Sequence, residues 1–210
     1  SVELDRRRFK LCAQDAYFKD EGAYTGEVSF AMLGDLVDYA LVGHSARRLY
    51  FNESLDTVRD KVQAAIRNDI SPVICVGETK QERDAGETNQ VLHDQITSAL
   101  ANVTSKDFKN IVIAYEPVWA ISTFDGIVAK PTDVARAIAF IRMQIKELYG
   151  EHASKSTRVL YGGSVNEHDA RSYLDVLGVD GLLVGAASLN YHQFAGIVQA
   201  AYQHKNEERK

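Results

Sequence analysis

The sequence has few cysteines and no long apolar run. Only two cysteines occur among its 210 residues, Cys12 and Cys75, which excludes a disulfide framework and suits a reducing cytoplasm. Each lies in an apolar run, so we expect both to be buried free thiols. No stretch approaches the roughly 18 apolar residues of a transmembrane helix, and residues 1–15 are too charged for a signal peptide.

The sequence also has no excess of basic residues. It contains 29 acidic and 24 basic residues, for a formal net charge of -5. The basic footprint of a nucleic-acid-binding protein is therefore missing, and we expect neither nucleic acid nor a membrane as the main partner. No linker rich in proline or glycine divides the chain. We therefore predict a single domain over residues 1–210.

Six short apolar runs recur along the chain. They are nearly continuous rather than alternating, as is typical of parallel strands buried on both faces. The runs are FKLCAQ (9–14), YALVG (39–43), PVICVG (72–77), IVIAYE (111–116), RVLYGG (158–163) and GLLVGA (181–186).

Helical periodicity occupies the segments between the runs, most clearly in 54–69 and 131–149 and less cleanly in 86–101 and 166–177. Alternating strands and helices predict an α/β domain with a parallel sheet. Such a sheet is either open and doubly wound or closed into a barrel, and periodicity does not decide between them. In both architectures the carboxyl ends of the strands form the site.

Two ionisable residues follow predicted strands. His44 comes after Gly43, where a backbone N–H of a following helix would disfavour the charged imidazole and leave a neutral ring able to donate to a carbonyl oxygen. Glu116 ends the fourth run, and Pro117 restricts it to extended geometry. Glu116 is either a catalytic base beneath a loop or an ordinary strand-end carboxylate, and His44 is either functional or structural.

Two glycine-containing turns follow the last two predicted strands. They are YGGSV (161–165) and LVGAAS (183–188). Adjacent turns of this kind expose backbone N–H groups and form a phosphate cradle in many barrels. Each turn alone is equally explained by a tight connection that needs glycine. The pair together favours a phosphate site.

Six motifs, in order, resemble triosephosphate isomerase: GAYTGEVS, GHSARR, CVGET, AYEPVWAI, YGGSV and LVGAASL. The resemblance runs from about residue 9 to residue 189 and implies a TIM-barrel-type fold. It implies a small phosphorylated sugar as substrate, a place in glycolysis and gluconeogenesis, a cytoplasmic protein, and no cofactor or metal. It further implies Glu116 as the base, His44 as the electrophile and residues 117–130 as a lid. The residues that it implies for binding substrate and phosphate are Ser164, Gly163, Gly185, Ala186 and Ser122.

The chain departs from this family in several places. Its first run resembles the family's third strand, so we expect six of eight βα units and an incomplete or open barrel. The family's substrate-binding lysine is absent, and Ala46 stands where the family has a glutamate that pairs with it. We therefore expect weak or lost activity in the isolated chain.

Three functions stay open from the sequence. They are a triosephosphate isomerase, a non-catalytic descendant that binds a sugar phosphate or acts as a scaffold, and an isomerase of another small sugar phosphate. Thr25 matches the loop that reaches into the neighbouring subunit in family dimers. We predict a homo-oligomer, a dimer or tetramer, because exposed sheet edges invite pairing with another chain.

Overall fold

The computed structural model describes residues 4–121 and 127–207. Six parallel strands form one sheet and follow one another in chain order. In the described residues the first strand pairs only with the second and the last only with the fifth, so the sheet is open. The strands are β1 (Cys12–Ala13), β2 (Tyr39–Val42), β3 (Ser71–Val76), β4 (Val112–Tyr115), β5 (Arg158–Tyr161) and β6 (Gly181–Leu182).

Helices connect the strands and cover the convex face of the sheet. They are α1 (Phe30–Leu33), α2 (Ser45–Tyr50), α3 (Leu55–Arg67), α4 (Lys80–Asp84), α5 (Thr88–Leu100), α6 (Pro131–Tyr149), α7 (Glu151–Ser156), α8 (Ala170–Leu174) and α9 (Tyr191–Glu207). The predicted α3, α5 and α6 are confirmed. The helix predicted over 166–177 is limited to α8, and α9 was not predicted. No helix in the described residues is long and apolar enough to cross a membrane.

The main core lies between the sheet and the helices. On α6, the residues Val134, Ile138, Ile141 and Ile145 are fully buried, as their spacing by four and three predicts. Proline begins this helix at its first position, where its missing N–H costs no hydrogen bond. The apolar faces of the helices therefore hold the βα units against the sheet.

A second, smaller apolar layer lies on the concave face. Its buried residues are Val73, Cys75, Val112 and Ala114, and half-buried side chains pack against them, namely Tyr39, Leu41, Leu160 and Leu183. At the amino-terminal ends of the strands, the Arg158 guanidinium donates to the Tyr39 hydroxyl at 3.1 Å. This contact joins β5 to β2 across the concave side.

The two edge strands are shorter than the sequence predicts. Runs 9–14 and 181–186 each contribute only two paired residues, because each has a partner strand on one side alone. The prediction that both cysteines are buried is correct for Cys75 and wrong for Cys12. Cys12 lies on the edge strand β1, where no neighbouring strand covers its free side.

Helix α9 carries an exposed apolar stripe. Tyr191, Phe194, Val198 and Tyr202 recur at helical spacing and are between 42% and 80% exposed, whereas Ile197 is buried. The helix packs against α8. The helix that follows β6 is therefore covered on one side only.

Candidate active site

His44 caps the amino terminus of α2. Its Nδ1 accepts a hydrogen bond from the backbone N–H of Ala46 at 3.2 Å. This is the helix-start contact that the sequence predicts. Because Nδ1 is an acceptor, the neutral ring carries its proton on Nε2. His44 thus presents an N–H donor toward the concave side of the sheet.

Glu116 follows β4 and meets His44 through space. Its Oε1 lies 3.1 Å from His44 Nε2, and its Oε2 accepts from the backbone N–H of Ser45 at 3.2 Å. Only 2% of Glu116 is exposed. The hydrogen bond that His44 donates to the Glu116 carboxylate raises the pKa of His44. The Ala46 N–H opposes a proton on Nδ1. The structure therefore brings together the two residues that sequence reasoning paired.

Gly77 permits this placement of Glu116. A Cβ at Gly77 would lie 1.8 Å from the carbonyl oxygen of Glu116, a distance that no side chain allows. The Glu116 N–H also donates to the Val76 carbonyl at 2.7 Å. The backbone of residue 116 is thus pressed directly against the end of β3.

Glu78, just after β3, is a buried carboxylate to which the sequence analysis gave no role. Its carboxylate is buried and accepts from Trp119 Nε1 at 2.8 Å and from the Tyr115 hydroxyl at 3.2 Å. Burial raises the pKa of Glu78. The Arg83 guanidinium lies 3.7 Å from the Trp119 ring centre and pairs with Asp133 at 3.0 Å. Glu78 follows Gly77 at the end of β3, and this position was the sequence feature that could have drawn attention to it.

The two glycine-containing turns line the same cleft as His44 and Glu116. The cleft has a volume of about 560 Å³, and its lining includes Gly163, Ser164, Gly185 and Ala186. The Ser164 hydroxyl is buried and has no hydrogen-bond partner in the described part of the chain. A Cβ at Gly185 would meet nothing within 4 Å, so there is open space beside that turn. Both features suit a bound ligand oxygen.

Two other predicted residues are not part of the described cleft lining. Ser122 falls outside the described residues. Thr25 is exposed on the loop between β1 and α1, close to the ring contact of Tyr24 with Tyr17, and does not line the cleft. Its position on an exposed loop is compatible with contact to another chain.

The charge around the cleft is unusual for an anion site. Among the described residues that line it there are two carboxylates, Glu116 and Asp169, and neither lysine nor arginine. Burial raises the pKa of Asp169. In residues 4–121 and 127–207, no cluster of three or more His, Cys, Asp or Glu side chains could hold a metal ion.

The chain is similar in sequence to proteins of one known family. The family model described as triosephosphate isomerase matches residues 1–201. The chain is 46% identical over 196 residues to the triosephosphate isomerase of Alkaliphilus metalliredigens, an alignment that covers 93% of this chain and 78% of that protein. It is 42% identical over 199 residues to that of Chloroherpeton thalassium, covering 94% and 78%.

The chain belongs to the triosephosphate isomerase family. The triosephosphate isomerase of Moorella thermoacetica gives the same result, with 46% identity over 187 residues that cover 89% of this chain and 74% of that protein. The relatives are longer than the matched region. The chain therefore spans most, but not all, of the length of these relatives.

Proposed function

We propose that Glu116 and His44 carry out the interconversion of dihydroxyacetone phosphate and glyceraldehyde 3-phosphate. The observation that carries the proposal is their 3.1 Å contact at the floor of the cleft. The family assignment supports it, since it identifies a phosphorylated triose as the substrate.

The proposed reaction needs only proton movements. A Glu116 oxygen takes a proton from the carbon next to the substrate carbonyl and returns it to the former carbonyl carbon. His44 Nε2–H donates to the carbonyl oxygen, on which negative charge develops. The proton of the neighbouring substrate hydroxyl moves to that oxygen, so that the carbonyl and the hydroxyl exchange places. In the absence of substrate that N–H is occupied by Glu116. Substrate entry separates the two side chains and redirects the Nε2–H to the substrate oxygen.

We expect the activity of this chain to be weak or absent. A triose phosphate is an anion, and the described lining of the cleft holds carboxylates without a lysine or arginine. Charges aimed at a transition state contribute several kcal/mol in many enzymes, so the lack of one lowers the rate by orders of magnitude. The second candidate function, a non-catalytic protein that binds a sugar phosphate, needs the turns after β5 and β6 but does not need charge aimed at a transition state.

We propose that the phosphate group binds at the turns after β5 and β6. Gly163, Ser164, Gly185 and Ala186 would surround it, and the unpartnered Ser164 hydroxyl supports this assignment. Ser122, which lies outside the described residues, belongs to the same proposed site.

We also propose a cytoplasmic homo-oligomer. Two exposed surfaces support association: the Thr25 loop, where Tyr24 and Val28 are 42% and 47% exposed, and the open side of the sheet, bordered by Cys12 and the α9 stripe. The two unpaired cysteines support a reducing compartment. Recovery of the native protein in a membrane or secreted fraction of its source cells would contradict the cytoplasmic assignment.

The first prediction concerns the base. Replacing Glu116 by Gln is expected to lower kcat by at least about 100-fold, because an amide cannot accept the proton. A coupled assay of both directions measures this, with Glu87→Gln as the control, since Glu87 is exposed at the start of α5. Equal rates for wild type and Glu116→Gln would remove Glu116 as the base. An inactive wild type would favour the non-catalytic function.

The second prediction concerns the phosphate. Gly185→Leu is expected to weaken binding of inorganic phosphate at least tenfold, on the order of 1.4 kcal/mol, because its side chain would fill the open space beside the turn. Titration calorimetry at low salt measures the affinity. Ala85→Leu, at the exposed end of α4, adds similar bulk away from the cleft. Saturable binding that Gly185→Leu leaves unchanged would locate the phosphate elsewhere.

The third prediction concerns assembly. Sedimentation at micromolar concentration is expected to give at least twice the 23.3 kDa of one chain. If the open side of the sheet is the interface, Val198→Glu dissociates the assembly and Cys12 becomes more reactive toward thiol reagents. If the Thr25 loop is the interface, Val28→Glu does so instead. Leu148→Glu on α6 serves as the control, and a compact wild-type monomer would contradict the proposal.

A further inference from the structure

The segment that connects Glu116 to α6 is held at two described points. The Ala120 carbonyl accepts from the Ser164 N–H at 2.9 Å, and the Ala129 carbonyl accepts from the Tyr173 hydroxyl at 2.8 Å. Both donors belong to the stretch from β5 to α8, which also contains Gly163. Next to these two points, Ile121 and Val128 line the cleft. Two walls of the cleft therefore depend on the β5–α8 stretch.

Tyr173 is rigidly placed to hold Ala129. It is 1% exposed, and its ring stacks on Tyr161 with centres 4.2 Å apart and planes inclined by 26°. Burial raises the pKa of Tyr173, so its hydroxyl stays protonated and can donate. Ala129 is also 1% exposed, so its carbonyl has no access to water as an alternative partner.

Tyr161 connects this contact to the proposed phosphate turn. It is the last residue of β5, and a Cβ at Gly163 would lie 2.3 Å from its hydroxyl oxygen. The backbone of the turn thus rests on one side of Tyr161, while Tyr173 stacks on its ring. The turn, the tyrosine pair and Ala129 form a continuous packed series.

We propose that Tyr173 is a positioning residue, which fixes Val128 at the cleft by holding the Ala129 carbonyl and couples that wall to the Gly163–Ser164 turn. The local contact stands on geometry alone, whereas its effect on ligand binding rests on the proposed phosphate site. Tyr173 does not line the cleft, so it acts through Ala129 and Tyr161.

The variant Tyr173→Phe tests the role of the hydroxyl, because it keeps the ring and its stacking. Tyr149→Phe is a matched control, since the Tyr149 hydroxyl also donates to a backbone carbonyl, that of Leu100 at 2.6 Å, outside the cleft lining. Hydrogen exchange of the Asp133 and Val134 amides, which donate to the Lys130 carbonyl at 2.9 and 3.1 Å, reports local opening beside Ala129, and exchange within α3 reports global stability.

We expect Tyr173→Phe to speed exchange at residues 133 and 134 roughly tenfold through loss of one buried hydrogen bond, with α3 unchanged. We expect the dissociation constant for inorganic phosphate to rise, and p-aminophenylalanine at position 173, which can donate, to restore both values. Tyr149→Phe should change neither.

Exchange at residues 133 and 134 that is the same in Tyr173→Phe and Tyr149→Phe would overturn the proposal. So would acceleration spread equally over α3, or failure of the p-amino side chain to restore slow exchange, because each indicates a general packing role. If phosphate does not bind the wild type, the phosphate site fails and the coupling to the turn fails with it. The exchange measurement still decides whether Tyr173 holds Ala129.

Discussion

The contact between His44 Nε2 and Glu116 Oε1 is the interaction on which the candidate site depends, and it is set by backbone geometry. Parallel register aligns Val42 of β2 with Ile74 of β3, and Val76 of β3 with Tyr115 of β4. Two residues beyond the end of β2, His44 therefore comes level with Val76, and Glu116 lies one residue beyond that level on the other side of β3. Because Gly77 has no side chain, the chain at residue 116 closes onto β3 and its carboxylate reaches the start of α2.

An open sheet retains this geometry because the pairing that creates it is local. The central strands β2, β3, β4 and β5 have partners on both sides and hold both catalytic candidates and the first glycine-containing turn. At the open side of the sheet, by contrast, the edge strands have only two paired residues each, Cys12 is exposed and the stripe on α9 is uncovered. The described lining of the cleft has no lysine or arginine that could meet an anionic ligand. The placement of the two catalytic candidates therefore does not require a basic residue in the cleft.

The sequence predicted the features that follow from local periodicity. Apolar spacing predicts the buried strands and the long amphipathic helices such as α6. Because the carboxyl ends of parallel strands form the site, His44, Glu116 and the two turns were expected to lie together. The short edge strands and the exposure of Cys12 could not be predicted, because they depend on the lack of a pairing strand on one side of β1 and of β6. The apolar residues of α9 do recur at helical spacing, so the helix itself was predictable, whereas the exposure of its stripe depends on which neighbours cover it.

Side-chain contacts between distant residues were also beyond sequence reasoning. Glu78 with Trp119, and Tyr173 with Ala129, join residues 41 and 44 positions apart. Nothing in the spacing of these residues predicts a hydrogen bond, since each depends on rotamers fixed by packing in three dimensions. The signal for Glu78 was its place beside a strand-end glycine, whereas Tyr173 resembled an ordinary helix residue.

The protonation state of His44 tests the central claim most directly. A nitrogen NMR spectrum of isotopically labelled histidines in alkaline buffer, assigned with His44→Gln, distinguishes the two neutral tautomers. The Ala46 N–H contact predicts that Nδ1 of His44 is unprotonated and that Nε2 carries the proton directed at Glu116. A His44 ring with its proton on Nδ1 would contradict the account, because neither the helix-start contact nor donation from Nε2 could then exist.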